Sequence, residues 1–294
     1  MRLMALLTCF VFIACGSSKK DKTSQVSFLP ENNLFLQDDT SVEVNANGID
    51  EAYFNAIIAK AQAIYDPIVA QFNGTLLISG DWNDSTVNAY ADRQGNVWKV
   101  QMYGGMARRS EITKDGFALV ICHEIGHQIS GFPKYAGSWA SNEGNSDYYA
   151  TAGCAEKLFS ETDPVPTPTP DPTPVPTPKP PCPFVPEADA TPCKGFSFGA
   201  DATVCQRSID GALSLGRLLA VLGGEKAPSI NTPDKSVVTK TSDRHPRSQC
   251  RLDTMYAGII CTQKWNDGIV PSNQKEMALV SCSMRPRCWY APGT

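Results

Sequence analysis

This chain is poor in histidine. Its 294 residues contain three, His123, His127 and His245. Two of the three stand four residues apart, a spacing that composition alone seldom produces. Apolar runs long enough for a transmembrane helix are absent beyond the first 15 residues. An excess of positive charge is also missing: 26 Lys and Arg face 30 Asp and Glu, a net charge of -4. With no basic stripe and no polybasic run, neither nucleic acid nor an anionic headgroup surface is an expected partner. No C-x-x-C pair occurs among the eleven cysteines, which disfavours a zinc cluster built from them.

The beginning of the chain reads as an export signal. Arg2 supplies a positive charge, and Met4 to Ala14 is apolar but too short to span a bilayer. It ends Phe12-Ile13-Ala14-Cys15-Gly16, similar to a lipobox in which Cys15 is lipidated. No aspartate follows the cysteine, the bacterial sorting pattern of an outer-membrane lipoprotein. The expectation is a signal peptide over residues 1–14, a flexible polar tether over 15–27, and a body held at the outer membrane by its lipid anchor, facing the periplasm or the surface. Setting Cys9 and Cys15 aside, nine cysteines remain in an oxidising compartment, so disulfides are expected and one thiol is left over. Cys122, inside an expected core helix, is the candidate for the free thiol.

Further along, Asp50 to about Phe72 has helical spacing of Phe54, Ile57, Ile58, Ala61, Ile64 and Tyr65, with Asp50 as N-cap and Pro67 as a kink or end. A short β-rich run covers 75–79. Residues 86–91 and 97–103 flank a Gly-Asn turn and read as a hairpin. Thr113 caps a helix from Asp115 to about Ile129, stopped by Gly131 and Pro133. Ser141 or Asn142 caps another, from Glu143 to about Phe159. The Pro-Thr repeat of 163–181 is expected as extended polyproline II spacer. Helical patterns return from Thr203 to Gly223 and after Pro246, and the tail from Thr262 has no legible pattern.

The helix at 115–129 carries His123-Glu124-Ile125-Gly126-His127. On a helix, His-Glu-x-x-His puts two imidazoles one turn apart on one face, able to hold one zinc ion, with the glutamate placed as base for a bound water. A catalytic site wants a third protein ligand. Glu143, sixteen residues after His127, is the best source, and Asp147 one turn later is placed to orient a ligand histidine. A third histidine six residues after His127 is ruled out, because that position is Pro133.

His123-Glu124-x-x-His127 followed by Glu143-x-x-Ser146-Asp147 resembles a gluzincin metallopeptidase. Asn88-Ala89-Tyr90-Ala91 upstream and His245-Pro246 through Arg251 downstream are similar to elements of the HtpX-type minigluzincins. Ser146 stands where that family often has alanine. The resemblance implies an α+β fold, a helical body with a small sheet; the disulfides expected from the cysteine count and the Pro-Thr insertion that interrupts the chain are foreign to that family's pattern. It implies one catalytic body whose first part is 28–162 and whose Cys-rich second part is 182–294, with disulfides across the insertion holding the halves together. It also implies that His245 donates to an oxyanion and that Arg251 pairs with a site carboxylate or the substrate. Strand 97–103 is the expected edge for an extended peptide.

The expectation is a zinc endopeptidase acting on polypeptides at the cell envelope, with Zn2+ on His123, His127 and Glu143 and Glu124 as general base. The rivals are an amidase for peptidoglycan peptides and a non-catalytic, zinc-stabilised interaction lipoprotein.

Overall fold

The computed structural model describes residues 25–34, 47–159, 202–261, 263–282 and 284–293. The expected signal, Cys15 and the Pro-Thr stretch lie outside the described residues. The fold is mixed α+β, a four-stranded sheet beside a helical body.

Asp50 caps α1 (Glu51–Ala70), its carboxylate accepting from Tyr53 N at 2.7 Å. Pro67 neither ends nor interrupts it. In the last turn the proline removes a single backbone bond, and the helix continues to Ala70. Strand β2 (Thr75–Asp81) follows, then β3 (Ala89–Gln94) and β4 (Val97–Tyr103) as the expected hairpin. Its two-residue connection needs a left-handed first residue, which Gly95 supplies at φ 61°. The sheet order is β1-β3-β4-β2, with β2 parallel to β4 and β1 (Val26–Ser27) antiparallel to β3.

Two expectations change here. Strand β4 is interior, hydrogen-bonded on both sides, so 97–103 is no edge for a peptide. The outer side of β2 is partly taken by Gln62 of α1, whose amide donates to Leu76 O at 3.1 Å and accepts from Ile78 N at 2.7 Å. Residues 26–27, expected as tether, belong to the sheet, where Val26 pairs with Ala91 and Ser27 with Tyr90.

After the short α2 (Gly104–Ala107), Thr113 caps α3 (Lys114–Ile129), accepting from Gly116 N at 3.1 Å. From Gly116 onward every residue of α3 is buried. It stops at Gly131, φ 71°, where a Cβ would stand 2.3 Å from Pro271 O. Asn142 caps α4 (Glu143–Tyr149), and the run continues through a π-helical turn (Ala150–Cys154) into α5 (Ala155–Leu158). Helix α6 (Ala202–Gly223) packs along α3, and α7 (Ser248–Ile259) packs on α6 and α4. Helix α8 (Gln274–Val280) lies in the tail where no pattern was legible. One hydrophobic core takes in Phe117 and Leu119 of α3, Leu215 and Leu218 of α6, and Leu252 and Met255 of α7. No helix among the described residues is long and apolar enough to cross a membrane.

Disulfides join Cys122 to Cys154, Cys250 to Cys288 and Cys261 to Cys282. Cys205 is disulfide-bonded as well. Cys122 is therefore not the free thiol: its place on α3 faces the π-helical turn, and Cys154 meets it there. None of these three bonds crosses the Pro-Thr insertion. Among the described residues the two parts are joined by core packing and by ion pairs such as Arg207–Asp115 at 2.8 Å. Replacing Cys122 and Cys154 together by serine, across a separation of 32 residues, is expected to cost about 3 kcal/mol in urea unfolding. Peptide mapping under non-reducing conditions should recover the Cys122–Cys154 link in the unaltered protein.

Candidate metal centre

Helix α3 places His123 and His127 on one face, with ring centroids 4.6 Å apart. The first residue of α4, Glu143, meets them there. Its Oε2 is 3.3 Å from His123 Nε2 and its Oε1 is 3.5 Å from His127 Nε2. One ligating atom from each of the three lies within 4.8 Å of the others. All three residues are buried.

The remaining ring nitrogens are occupied. His123 Nδ1 is 2.8 Å from Asp147 Oδ1. His127 Nδ1 is 2.7 Å from Ser141 O, with Ser146 Oγ at 3.0 Å. Protons held on both Nδ1 atoms leave the Nε2 lone pairs facing the common point, the form in which imidazole ligates. Ser146 thus adds a polar contact to a candidate ligand.

Asp147 is held in turn by Arg251 of α7, whose Nε and Nη2 donate to Oδ2 and Oδ1 at 2.7 and 2.8 Å. The third guanidinium nitrogen donates to Phe28 O at 2.7 Å. Asp147 and Arg251 are as buried as the histidines. Burial raises the Asp147 carboxyl, but Arg251 and then His123 more than offset it and hold it below its ordinary value.

The arrangement fits a bound cation on observations of its own. His123 Nε2, His127 Nε2 and Glu143 Oε2 are buried polar atoms with no hydrogen-bond partner, and so are both carboxylate oxygens of Glu124. Each such orphan costs roughly 1–3 kcal/mol or more without a partner. Burial drives His127 down to about 4, so it is neutral and ligand-ready near neutral pH. Burial also opposes charge on His123, but Asp147 lifts it to about 9, so a proton competes there with a cation. Burial works to raise Glu143, yet the neighbouring His127 and His123 hold its carboxyl well below the carboxylate range. Burial pushes Glu124 up to about 8.

His245 precedes α7 and is partly exposed. Its Nε2 lies 3.4 Å from Glu143 Oε2 and 2.9 Å from Ser27 O. The structure therefore brings His123, Glu124, His127, Glu143, Asp147, His245 and Arg251 together, while Cys15 lies outside the described residues. Sequence reasoning missed Tyr135, whose hydroxyl donates to Glu143 Oε1 at 2.5 Å from a loop without periodicity. It also missed Phe28, whose ring stands edge-on to His123 with centroids 5.1 Å apart. A second group, Asp234 with Cys250 and Cys288, is no metal site, because the two cysteines are bonded to each other.

No family model matches the chain, and neither a curated protein nor a solved structure matches it at a significant level. What stands is a His-x3-His pair completed by a distant glutamate, capable of holding a metal ion. Glu143→Ala is expected to abolish stoichiometric metal binding. Asp147→Asn should weaken it about 10–100-fold, and His245→Ala should leave it unchanged. Competition with a chromogenic chelator measures all three.

Proposed function

We propose that this chain is a zinc-dependent endopeptidase. The observation that carries the reading is the Glu124 carboxylate, buried beside three candidate ligands with neither oxygen partnered. A site built only to stabilise the fold has no use for such a group, and structural zinc is normally closed by four protein ligands. Two histidines and one glutamate, from His123, His127 and Glu143, suit zinc, which takes nitrogen and carboxylate donors.

Zinc bound at these three residues would supply Lewis acidity to a peptide carbonyl and acidify a coordinated water. Glu124 takes a proton from the attacking water and delivers it to the departing amine nitrogen. Burial raises its carboxyl, which favours the protonated form needed for that second transfer. Asp147 keeps the His123 proton on Nδ1, and Arg251 keeps Asp147 ionised. Tyr135 fixes one Glu143 oxygen. His245 donates from Nε2 to a carbonyl oxygen at the site mouth, the role of an oxyanion donor.

The same reading sets the protein outside the cytoplasm, anchored through Cys15 at the outer membrane. The small residues before Cys15 and the oxidised cysteines support that address. Cys15→Ser should abolish incorporation of a labelled fatty acid in cells. Glu124→Gln should retain metal and thermal stability yet lose proteolysis of an unfolded protein substrate by a factor on the order of 100 or more. Undiminished cleavage by that variant would remove the reading. His245→Ala should lower kcat by roughly 100-fold with metal content intact.

A further inference from the structure

A stretch of this chain lies across its own metal centre. Val26 and Ser27 pair with the outer side of β3, and Phe28 N extends the ladder to Ala89 O at 3.1 Å. The next polar groups along that stretch each meet a side chain. His245 Nε2 lies 2.9 Å from Ser27 O. Arg251 Nη1 donates to Phe28 O at 2.7 Å. Leu29 N donates to Asn88 Oδ1 at 3.0 Å, and the Asn88 amide nitrogen is 3.4 Å from Leu29 O. Side chains follow the same logic. The Phe28 ring is fully buried against His123, with the Arg251 guanidinium 4.5 Å from its centre. Beyond it, a cavity of about 280 Å³ opens between Leu29, Leu219, Leu222 and His245.

A strand that only completed the sheet would need β3 alone. This one also directs two successive carbonyls at the cationic or proton-donating groups of the site. An extended backbone on a sheet edge, with one pocket for a side chain, is the general form of peptide recognition. We infer that Val26–Leu29 occupies the polypeptide-binding cleft of this chain as an internal ligand. A peptide that replaces it is extended, runs antiparallel to β3 and sets a large apolar side chain beside His123. The inference rests on the peptide-hydrolase reading of the same site. It adds an edge, a direction, a side-chain preference and latency, since an external peptide reaches His245, Arg251 and Asn88 only after the segment leaves. A tethered segment competes at a high effective concentration, so weak contacts suffice to keep the cleft filled.

The test uses a fluorescent synthetic peptide with the sequence of residues 23–31, titrated by anisotropy into the metal-free full chain. Phe28→Ala empties the pocket, and Phe28→Asp sets a carboxylate near Asp147 and Glu143. Either variant, if folded by circular dichroism, should bind the peptide at least about tenfold more tightly than the wild type. The same peptide with alanine for phenylalanine should lose that gain. Equal binding to wild type and a folded variant, or none at millimolar peptide, overturns the inference. Should both variants unfold, the wild type carries the test. Excess peptide must then accelerate hydrogen exchange at the Phe28 amide, and unchanged exchange overturns it. Failures of the two readings differ. Peptide binding as expected, with no hydrolysis by any metal-loaded form, removes the hydrolase and keeps the cleft. Hydrolysis by the metal-loaded protein, with no effect of Phe28 substitution on binding or exchange, does the reverse.

Discussion

The carboxylate of Asp147 is the joint on which the site turns. One oxygen meets His123 on α3, both meet the Arg251 fork from α7, and the residue itself sits on α4. All of this is away from water, where a broken ion pair is far more costly than an exposed one. Three helices are thereby held in a single mutual arrangement, because any slip leaves a charge unpaired. Burial raises Glu124, Arg251 offsets Asp147, and the Glu143 carboxylate stands against His127 and His123. The atoms left without a partner, His123 Nε2, His127 Nε2 and Glu143 Oε2, converge on one point, where a cation could be held.

The sheet is registered on the histidine-bearing helix by a second polar clasp, one residue past His127. The Gln128 amide donates to Asp92 O and Lys99 O at 3.1 and 3.0 Å, bridging β3 and β4. Arg93 returns from β3 to the Gln128 side chain and carbonyl at 2.8 and 2.6 Å, with Trp98 stacked 3.5 Å from its guanidinium. Burial depresses Arg93 to about 10, yet it stays charged at neutral pH. The edge of β3 and the histidines are therefore fixed to each other, which holds a chain paired on that edge at a set height over the candidate metal ligands.

Residue types that act through local periodicity were legible from sequence. The helix over 115–129, its Thr113 cap and the Gly95 turn all follow from spacing a few residues long, and the next cap was narrowed to Ser141 or Asn142, of which Asn142 serves. The pairing of His123 with His127 was legible for the same reason, because a helix face converts spacing into direction. Glu143 followed from the need for a third ligand, and Arg251 from the resemblance of its segment. Most other contacts between residues distant in sequence were not legible. Nothing local distinguishes Cys122 as bonded rather than free, since its partner is 32 residues away at the end of a π-helical turn. Strand β4 shows clean alternation whether it is an edge or an interior strand, and only the parallel approach of β2 decides. The polar run before Phe28 reads as tether until β3 supplies its hydrogen bonds. Tyr135 and Ser27 act through a hydroxyl and a backbone carbonyl, which leave no pattern at all.

The Arg251 fork also sets an order of events. It reaches back 104 residues to Asp147 and 223 to Phe28. Contacts of such separation form late, because the loop they close must first be ordered. A chain made from its N-terminus presents its histidine helix long before it presents α7. Until that helix arrives, Asp147 lacks its fork and His123 lacks a fixed tautomer. The site is therefore completed only when the last third of the polypeptide is in place, and the histidine helix stays unfinished until then.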